Sequence, residues 1–401
     1  MRVLSRCSQL AADVAVVGGG PAGLLLASLL AESGFKAVVL EEHRVVGEPP
    51  HCAGLVTPRC LRWALGLPLS GEYVQNAVRG ARVYSPSGAT EATVERPSVQ
   101  AVVVDRPLLD RALLGVALSS GAEVLLRHRV RAIRRAGNQW LVDAGDVAVR
   151  SPVVVDAAGP RFLLARAVGA RPPRMLRGAL PAVQVELEGV RGMDPDFVEI
   201  YLGSRWAPGF FAWLIPTGDR EARIGLAASR KPVLPLLKHL LARHPRLRSR
   251  VAGARERRLL AGVVLVSGPL SRTWGNGALL VGDAGGFTKP TTGGGLFVGA
   301  ISSRAAARAI ELAWSRGDLS SRSLSLYESL WRAAVGRELA KMRLARAVLR
   351  CLPDPVVEEA IGVLRSRPVR ELLESSSDVD YQLSGVRAAA VARALALSLL
   401  T

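Results

Sequence analysis

Short, wholly apolar runs alternate with helical stretches at the start of the chain. Asp13–Val17 (DVAVV) ends on three glycines and predicts a buried parallel strand. Pro21–Ser33 predicts a helix, with Pro at its start and Gly34 just past its end. Lys36–Leu40 (KAVVL) predicts a second buried strand, so a βαβ unit opens the chain. Residues 43–75 are rich in Gly and Pro and predict irregular backbone. Ala77–Val94 and Val99–Val104 predict strands, Pro107–Ser119 a helix, Glu123–Arg134 and Trp140–Val149 a meander, and Val153–Ala157 another buried strand. Alternation of β type runs from Met175 to Ser229, with turn signals at Asp194-Pro195 and Thr217-Gly218-Asp219. Residues 233–250 predict helix, Leu259–Val266 and Ala278–Val281 strands, and Gly293–Arg316 a long helix opened by three glycines. Beyond 320 the pattern is helical, with breaks at Pro353-Asp354-Pro355 and Pro368.

At 401 residues the chain exceeds the size of one core, so two or three structural units are expected. A hydrophobic content of 49% against 22% charged excludes a disordered chain. The net charge of +19 comes almost wholly from Arg, since only five residues are Lys. Such a surface attracts phosphorylated ligands, nucleic acid or anionic membrane faces. The Arg residues are scattered rather than bunched, and aromatics are only 5%, which argues against nucleic acid. Four cysteines (Cys7, Cys52, Cys60, Cys351) are too few for a disulfide framework, and no metal-spaced pair occurs, so no metal is expected. Arg2 and Arg6 precede an apolar run that Asp13 interrupts, which is no signal peptide. No stretch reaches the ~18 apolar residues of a spanning helix. Val386–Leu400 is short and carries Arg387 and Arg393. A cytoplasmic protein is expected, soluble or peripheral to the inner face of the cell membrane.

Gly18-Gly19-Gly20-Pro21-Ala22-Gly23 follows a strand and opens a helix, the context of a dinucleotide fingerprint. Gly18 permits the tight turn, Gly20 close approach of the pyrophosphate, and Gly23 close packing of helix on strand. The helix N-terminus, including Ala22, offers N–H groups to phosphate. Glu41, at about the ~20-residue spacing of the ribose-binding acid, is the candidate for the ribose hydroxyls, with Glu42 as the fallback. A second element selects FAD over NAD. Ala278–Gly285 is a strand ending in Gly282-Asp283, where a carboxylate is suited to a ribityl hydroxyl. Gly293, Gly294, Gly295 and Leu296 place another helix N-terminus near the ligand, where its dipole stabilises a reduced, anionic ring.

These segments resemble the glutathione-reductase-like flavoproteins of para-hydroxybenzoate hydroxylase type. The middle segment Val153–Pro160 departs from that group: Ala158 stands where an acid is usual, and Asp156 lies two residues earlier. The resemblance implies a flavin-contacting arginine at Arg106, within Val104-Asp105-Arg106, and an adenine contact through the backbone of Val130 on the strand after the helix. The expected fold is α/β: a glutathione-reductase-like FAD-binding Rossmann domain, an inserted antiparallel β-sheet substrate domain and a helical C-terminal region. Its boundaries are 1–174, with a β excursion near 77–100, and 268–320 for the FAD-binding parts. The substrate domain takes 175–267 and the helical region 321–401.

Pro208–Pro216 (PGFFAWLIP) is similar to the "YxWxFP" signature of the geranylgeranyl reductase family. Phe211 and Ile215 replace its Tyr and Phe, while Trp213 and Pro216 remain. Arg223-Ile224-Gly225-Leu226, the Cys-Gly loop Pro49–Val56 and the stretch 282–296 fit the same family, which includes archaeal digeranylgeranylglycerophospholipid reductases. The resemblance implies hydride transfer from flavin to an isoprenoid double bond, with a proton delivered to the other carbon. Phe211, Trp213, Ile215 and Pro216 are the implied substrate contacts. Cys52 and Gly54 are implied near the flavin, and Cys52 or His51 as the proton source. The implied partners are an isoprenoid lipid, an external electron donor (NAD(P)H or ferredoxin) and an anionic membrane surface. Arg243–Arg258 and the helix with Arg387 and Arg393 are candidates to hold that surface. A monooxygenase and a redox-neutral, lycopene-cyclase-like flavoprotein are the alternatives. The remaining histidines (43, 128, 239, 244) are expected at the surface.

Overall fold

Val14–Val17, Ala37–Leu40 and Val153–Asp156 are buried along their whole length, as a sheet covered on both faces requires. In a computed structural model, which describes residues 8–376 and 378–382, they form the centre of a six-stranded sheet. Ala278–Leu280 pairs in parallel with Val153–Asp156, and Glu123–Leu125 pairs in parallel with Ala37–Leu40. Trp274–Gly275 adds an antiparallel edge. The late segment near 280 thus joins the same sheet as Val14–Val17 and Ala37–Leu40, with Val153–Asp156 between.

Two helices cover one face of this sheet. Pro21–Glu32 begins on Pro, where the missing N–H costs nothing, and Gly34 past its end has φ +84°. Leu296–Ser315 carries Gly299, Ala300, Ser302, Ser303 and Ala306 on its buried side, small enough for close approach. Ser303 donates to the carbonyl of Ala22 at 2.8 Å. The three glycines before this helix lie outside it, so it starts three residues later than its sequence pattern predicts.

A seven-stranded sheet forms the second layer. Its order is 255–265, 179–188, 221–227, 212–216, 197–201, 80–84 and 91–95. The β excursion near 77–100 therefore supplies two of its strands. One face packs on the helix Val233–Arg243 through Leu214, Ile224, Leu226, Leu237 and Leu240. His244, expected at the surface, is buried there between Tyr201 and Trp206. Burial, and then Arg246, lowers its pKa to about 4, and its Nε2 has no hydrogen-bond partner. The other face looks toward the parallel sheet. Between them, Leu55–Val56, Val74–Val78 and Ala101–Val104 make a small three-stranded sheet.

Helices follow from 321 to 376. The segment 378–382 then returns to the first layer. Asp380 pairs with Lys289 at 2.8 Å and accepts from Thr57, while Tyr381 packs edge-on against Phe297. Cys7, Arg2, Arg6 and Val386–Leu400 with Arg387 and Arg393 lie outside the described residues. Among the described residues no helix is long and apolar enough to cross a membrane, and no cluster suited to a metal occurs.

Candidate active site

The turn after the first strand has the strain that glycines relieve. Gly18 has φ +107°, and a Cβ there would stand 2.5 Å from the Ala157 carbonyl oxygen. A Cβ on Gly23 would meet the Gly18 oxygen at 2.1 Å, so the helix seats directly on the turn. At Gly20 the same Cβ would meet no protein atom within 4 Å, which leaves this side of the turn open for a ligand. No side chain caps the helix, and no acid stands in its first turn. Leu296–Ser315 is likewise uncapped by side chains and free of acids in its first turn. Gly282 lies between the two N-termini: a Cβ on it would lie 2.8 Å from the Ala22 Cβ, and a Cβ on Gly299, in the first turn of the second helix, would lie 3.5 Å from the Gly282 Cα. Two helix dipoles and their N–H groups thus converge, an arrangement suited to an elongated anionic cofactor.

Asp283 follows Gly282 at this junction. Among the described residues no group donates to its carboxylate. Burial pushes its pKa up to about 6, and the Arg106 guanidinium opposes the shift. A desolvated carboxylate without a donor fits a ligand hydroxyl. Gly295 lies against it, and Gly293 lies against Val264 of the seven-stranded sheet, where a Cβ would stand 2.1 Å from Cγ1. Gly294 is exposed and Leu296 opens the helix.

Glu41 ends the second strand as expected. Its Oε2 accepts from the Gly19 N–H at 2.7 Å and its Oε1 from the His43 N–H at 2.9 Å. Glu42 instead pairs with Arg129 and Arg161. Val130 is buried, but it lies in the link after Glu123–Leu125 rather than on a strand. Its carbonyl accepts from Arg161 at 3.3 Å. Asp156 explains the altered middle segment: its buried carboxylate accepts the N–H groups of Ala158 and Leu164, holding its own turn.

Arg106 opens the helix Arg106–Ser119 and forks onto Asp110 at 3.0–3.1 Å. The Cys52 thiol lies near the same guanidinium and accepts from the Gly54 N–H at 3.4 Å. Gly54 has φ +81°, and any side chain there would strike Arg223 and the Val104 carbonyl. Arg223, to which no role is given by sequence reasoning, donates to the carbonyls of Ala53 (3.0 Å) and Val104 (2.9 Å) and to Gln75. It thereby fastens the Cys52 loop to the seven-stranded sheet. A charged residue on the inward phase of an otherwise apolar strand (EARIGLA) is the signal that marks it.

Residues opposite one another in antiparallel strands share a face. Pairing Trp213–Gly225–Gln184–Leu260 and Ala227–Ala182–Gly262 puts these rungs beside Arg223 on one face. The Trp213 ring overlies Gly225 and its Nε1 donates to Gln184 at 3.0 Å. Ala227, Ala182 and Gly262 make a floor of small residues next to it. His51, exposed, stands beside Gly262, and Gly293 stands over Val264 one rung further. The floor is thus bounded by the Cys52 loop at one end and the Gly293 loop at the other. Phe210 and Phe211 stack at 4.2 Å just before the strand Ala212–Pro216, and Phe211 meets Trp213 edge-on. Ile215 and Pro216 do not line this surface. Ile215 fills the core between the two sheets with Val78, Val103 and Val198, and Pro216 is buried at the strand end. Within the Arg243–Arg258 stretch, Arg246 donates to Gly88, Arg250 to Glu199 and Arg257 to Glu188, while Arg243, Arg248, Arg255 and Arg258 are exposed.

The fold and this double-glycine cradle define an FAD-binding flavoprotein, and residues 11–233 match the family of the FAD binding domain. The chain belongs to the digeranylgeranylglycerophospholipid reductase family. It is 31% identical over 372 residues to the enzyme of that name from Methanothrix thermoacetophila, covering 90% of this chain and 93% of the other. Identity to the Methanocaldococcus jannaschii enzyme is 29% over 363 residues, 87% of this chain and 90% of the other. The fold is that of a geranylgeranyl bacteriochlorophyll reductase-like protein from Thermoplasma acidophilum (TM-score 0.84, 24% identity, 97% and 96% of the two chains). FAD is the cofactor.

Proposed function

We propose that this protein reduces carbon–carbon double bonds of an isoprenoid lipid. The observation that carries the reading is the contact between Gly293, in the flavin-side loop, and Val264, on the sheet face that bears Trp213 and the small-residue floor. An extended, branched prenyl chain fits an apolar floor of Ala and Gly walled by aromatics, and such walls exclude water. Bound, reduced FAD supplies the hydride. Gly18, Gly20, Ala22 and Gly23 hold the pyrophosphate, Glu41 the ribose, Asp283 the ribityl chain, and Gly293 to Leu296 the ring. Phe210, Phe211 and Trp213 grip the substrate.

Cys52, held by Gly54 N–H and Arg106, is the group we assign to deliver the proton at Sγ; His51, beside Gly262, is positioned to relay it from solvent. Residues 1–174 and 268–320 bind the cofactor in this reading, 175–267 the substrate, and the helices of 321–376 form a cover. The reductant comes from outside, as NAD(P)H or ferredoxin, and the enzyme works against the inner face of the membrane. The test is to reduce the bound flavin without oxygen and add a geranylgeranyl lipid. Reoxidation of the flavin with a gain of H2 per double bond is expected. Reoxidation by oxygen alone, yielding a hydroxylated product, would overturn the reading in favour of a monooxygenase.

A further inference from the structure

The floor is bounded by two loops, and the segment 378–382 ties them together. The Gly293 loop closes on Lys289, whose N–H donates to the Gly294 carbonyl at 3.0 Å and whose carbonyl accepts from the Gly293 N–H at 2.8 Å. Whatever fixes Lys289 therefore fixes the loop. Its buried ammonium donates to the Val379 carbonyl at 2.7 Å and to the Asp380 Oδ1 at 2.8 Å. Thr291 bonds to Gln382, and Phe297, at the start of the following helix, meets Tyr381 edge-on. On the other side, the Cys52 loop runs through Leu55–Val56 to Thr57. The Thr57 hydroxyl donates to the Asp380 Oδ2 and accepts from the Cys60 N–H at 3.0 Å. Arg59 pairs with Asp378 at 2.8 Å and lies over the Tyr381 ring.

The two oxygens of one carboxylate, 3% exposed, thus serve two loops that are remote from each other in the chain. The segment that carries it is neither helix nor strand. Asp378 shapes it by accepting from the N–H groups of Asp380 and Tyr381 at 2.7 and 3.0 Å. Stability alone does not call for such a group, because an apolar pair of the same size is often as stabilising as a sealed ion pair. What the carboxylate adds is direction: it holds Lys289 and Thr57 at hydrogen-bonding distance and in a fixed orientation.

We propose that Asp380 is a positioning residue for the reaction, setting the separation of the Cys52 loop from the Gly293 loop. The inference rests on the double-bond-reductase reading and adds the group that aligns its two halves. Cys52 and the ring site at Gly293 to Leu296 must serve adjacent carbons of one double bond. A displacement of about 1 Å at either loop can lower a rate about a hundredfold. Asp380 is sealed from solvent and acts through Lys289 and Thr57.

The test compares wild type with Lys289→Met/Asp380→Leu, Thr57→Val and Thr57→Ser, each with and without FAD. The double variant keeps the buried volume but leaves Thr57 without its acceptor, and Thr57→Val removes the same bond from the other side. One readout is the rate at which a thiol reagent labels Cys52, located by peptide mass. The other is the split between kcat and KM on a geranylgeranyl lipid, compared at equal flavin content. In wild type, FAD is expected to slow labelling at Cys52, because the two loops meet at the ligand. The double variant and Thr57→Val are expected to lose most of that protection, and their kcat to fall about ten- to a hundredfold at little changed KM. Thr57→Ser, which keeps the hydroxyl, is expected to restore both. Unchanged protection and unchanged kcat in the double variant and in Thr57→Val would overturn the inference. So would losses that follow Tm across the variants, which makes the segment a stabilising strap alone. Absence of protection by FAD in wild type would overturn it as well. Labelling is read without turnover, so a protein whose protection depends on Asp380 but which reduces no lipid sinks the reductase reading alone.

Discussion

Asp283 and Gly295 stand so close that a Cβ added to the glycine would meet the Asp283 Oδ1 at 2.8 Å. The carboxylate is therefore steered by the absence of a side chain at its neighbour. Gly295→Ala is expected to push it aside and weaken FAD binding, and Asp283→Ala to weaken it about ten- to a hundredfold, the worth of one charge-assisted hydrogen bond. Because burial raises the pKa of Asp283 to about 6, above that of the unfolded chain, FAD binding should weaken as pH falls through 6. The cofactor-free protein should lose stability as pH rises across the same window. Both dependences should vanish in Asp283→Asn. Flavin titration and thermal melts against pH check this.

Arg223→Met should lower stability by about 2–4 kcal/mol, because the Ala53 and Val104 carbonyls lose their buried donor. Lys should rescue poorly, since one ammonium cannot reproduce a fork that serves both carbonyls and Gln75. Faster reaction of Cys52 with a thiol reagent in the folded variant would report the freed loop. Unchanged reactivity together with unchanged melting would refute the anchoring role.

Asp380→Ala strands Lys289 in a buried site and should cost about 3–5 kcal/mol. The double change Lys289→Met/Asp380→Leu should recover most of it. Melting curves of Lys289→Met, Asp380→Leu and the double variant, read as a double-mutant cycle, decide the matter, and additive losses would contradict it.

His244 should make the protein acid-sensitive. Its folded pKa, about 4, lies below the 6.5 of an ordinary imidazole, so protonation favours the unfolded chain. Stability contributed by the neutral ring is complete above pH 6.5 and is lost as pH falls toward 4. The loss is on the order of 3 kcal/mol at 1.36 kcal/mol per unit. His244→Phe, packed between Tyr201 and Trp206, should flatten that part of the profile in denaturant titrations.

The elements of the candidate cofactor site were readable because local rules govern them. A wholly apolar strand, a glycine turn and an uncapped helix leave a signature within a dozen residues, so Gly18–Gly23 and Asp283 are visible in the chain. Contacts between remote segments leave none. Nothing around Lys289 announces Asp380, and nothing around Cys52 announces Arg223, since these pairings are made by topology. His244 misled for a related reason: an imidazole in a basic helix reads as a surface group, and only the aromatic shell supplied by residues 201 and 206 buries it. Ile215 shows the limit of a motif. The pattern places it beside Trp213 on one face, yet Ile215 is buried among Val78, Val103 and Val198 while Trp213 stays partly exposed at their edge.

The pairing of Ala278–Leu280 with Val153–Asp156 sets an order of events during synthesis. A nascent chain still short of residue 278 has the Gly18–Gly23 turn but neither Asp283 nor the second helix beneath it. Such a chain exposes Val153–Asp156 as an unclosed sheet edge, a liability for sticking to other chains. Yellow colour should therefore appear late on the ribosome, and truncations that stop before the final strand of this sheet should neither bind flavin nor stay dispersed.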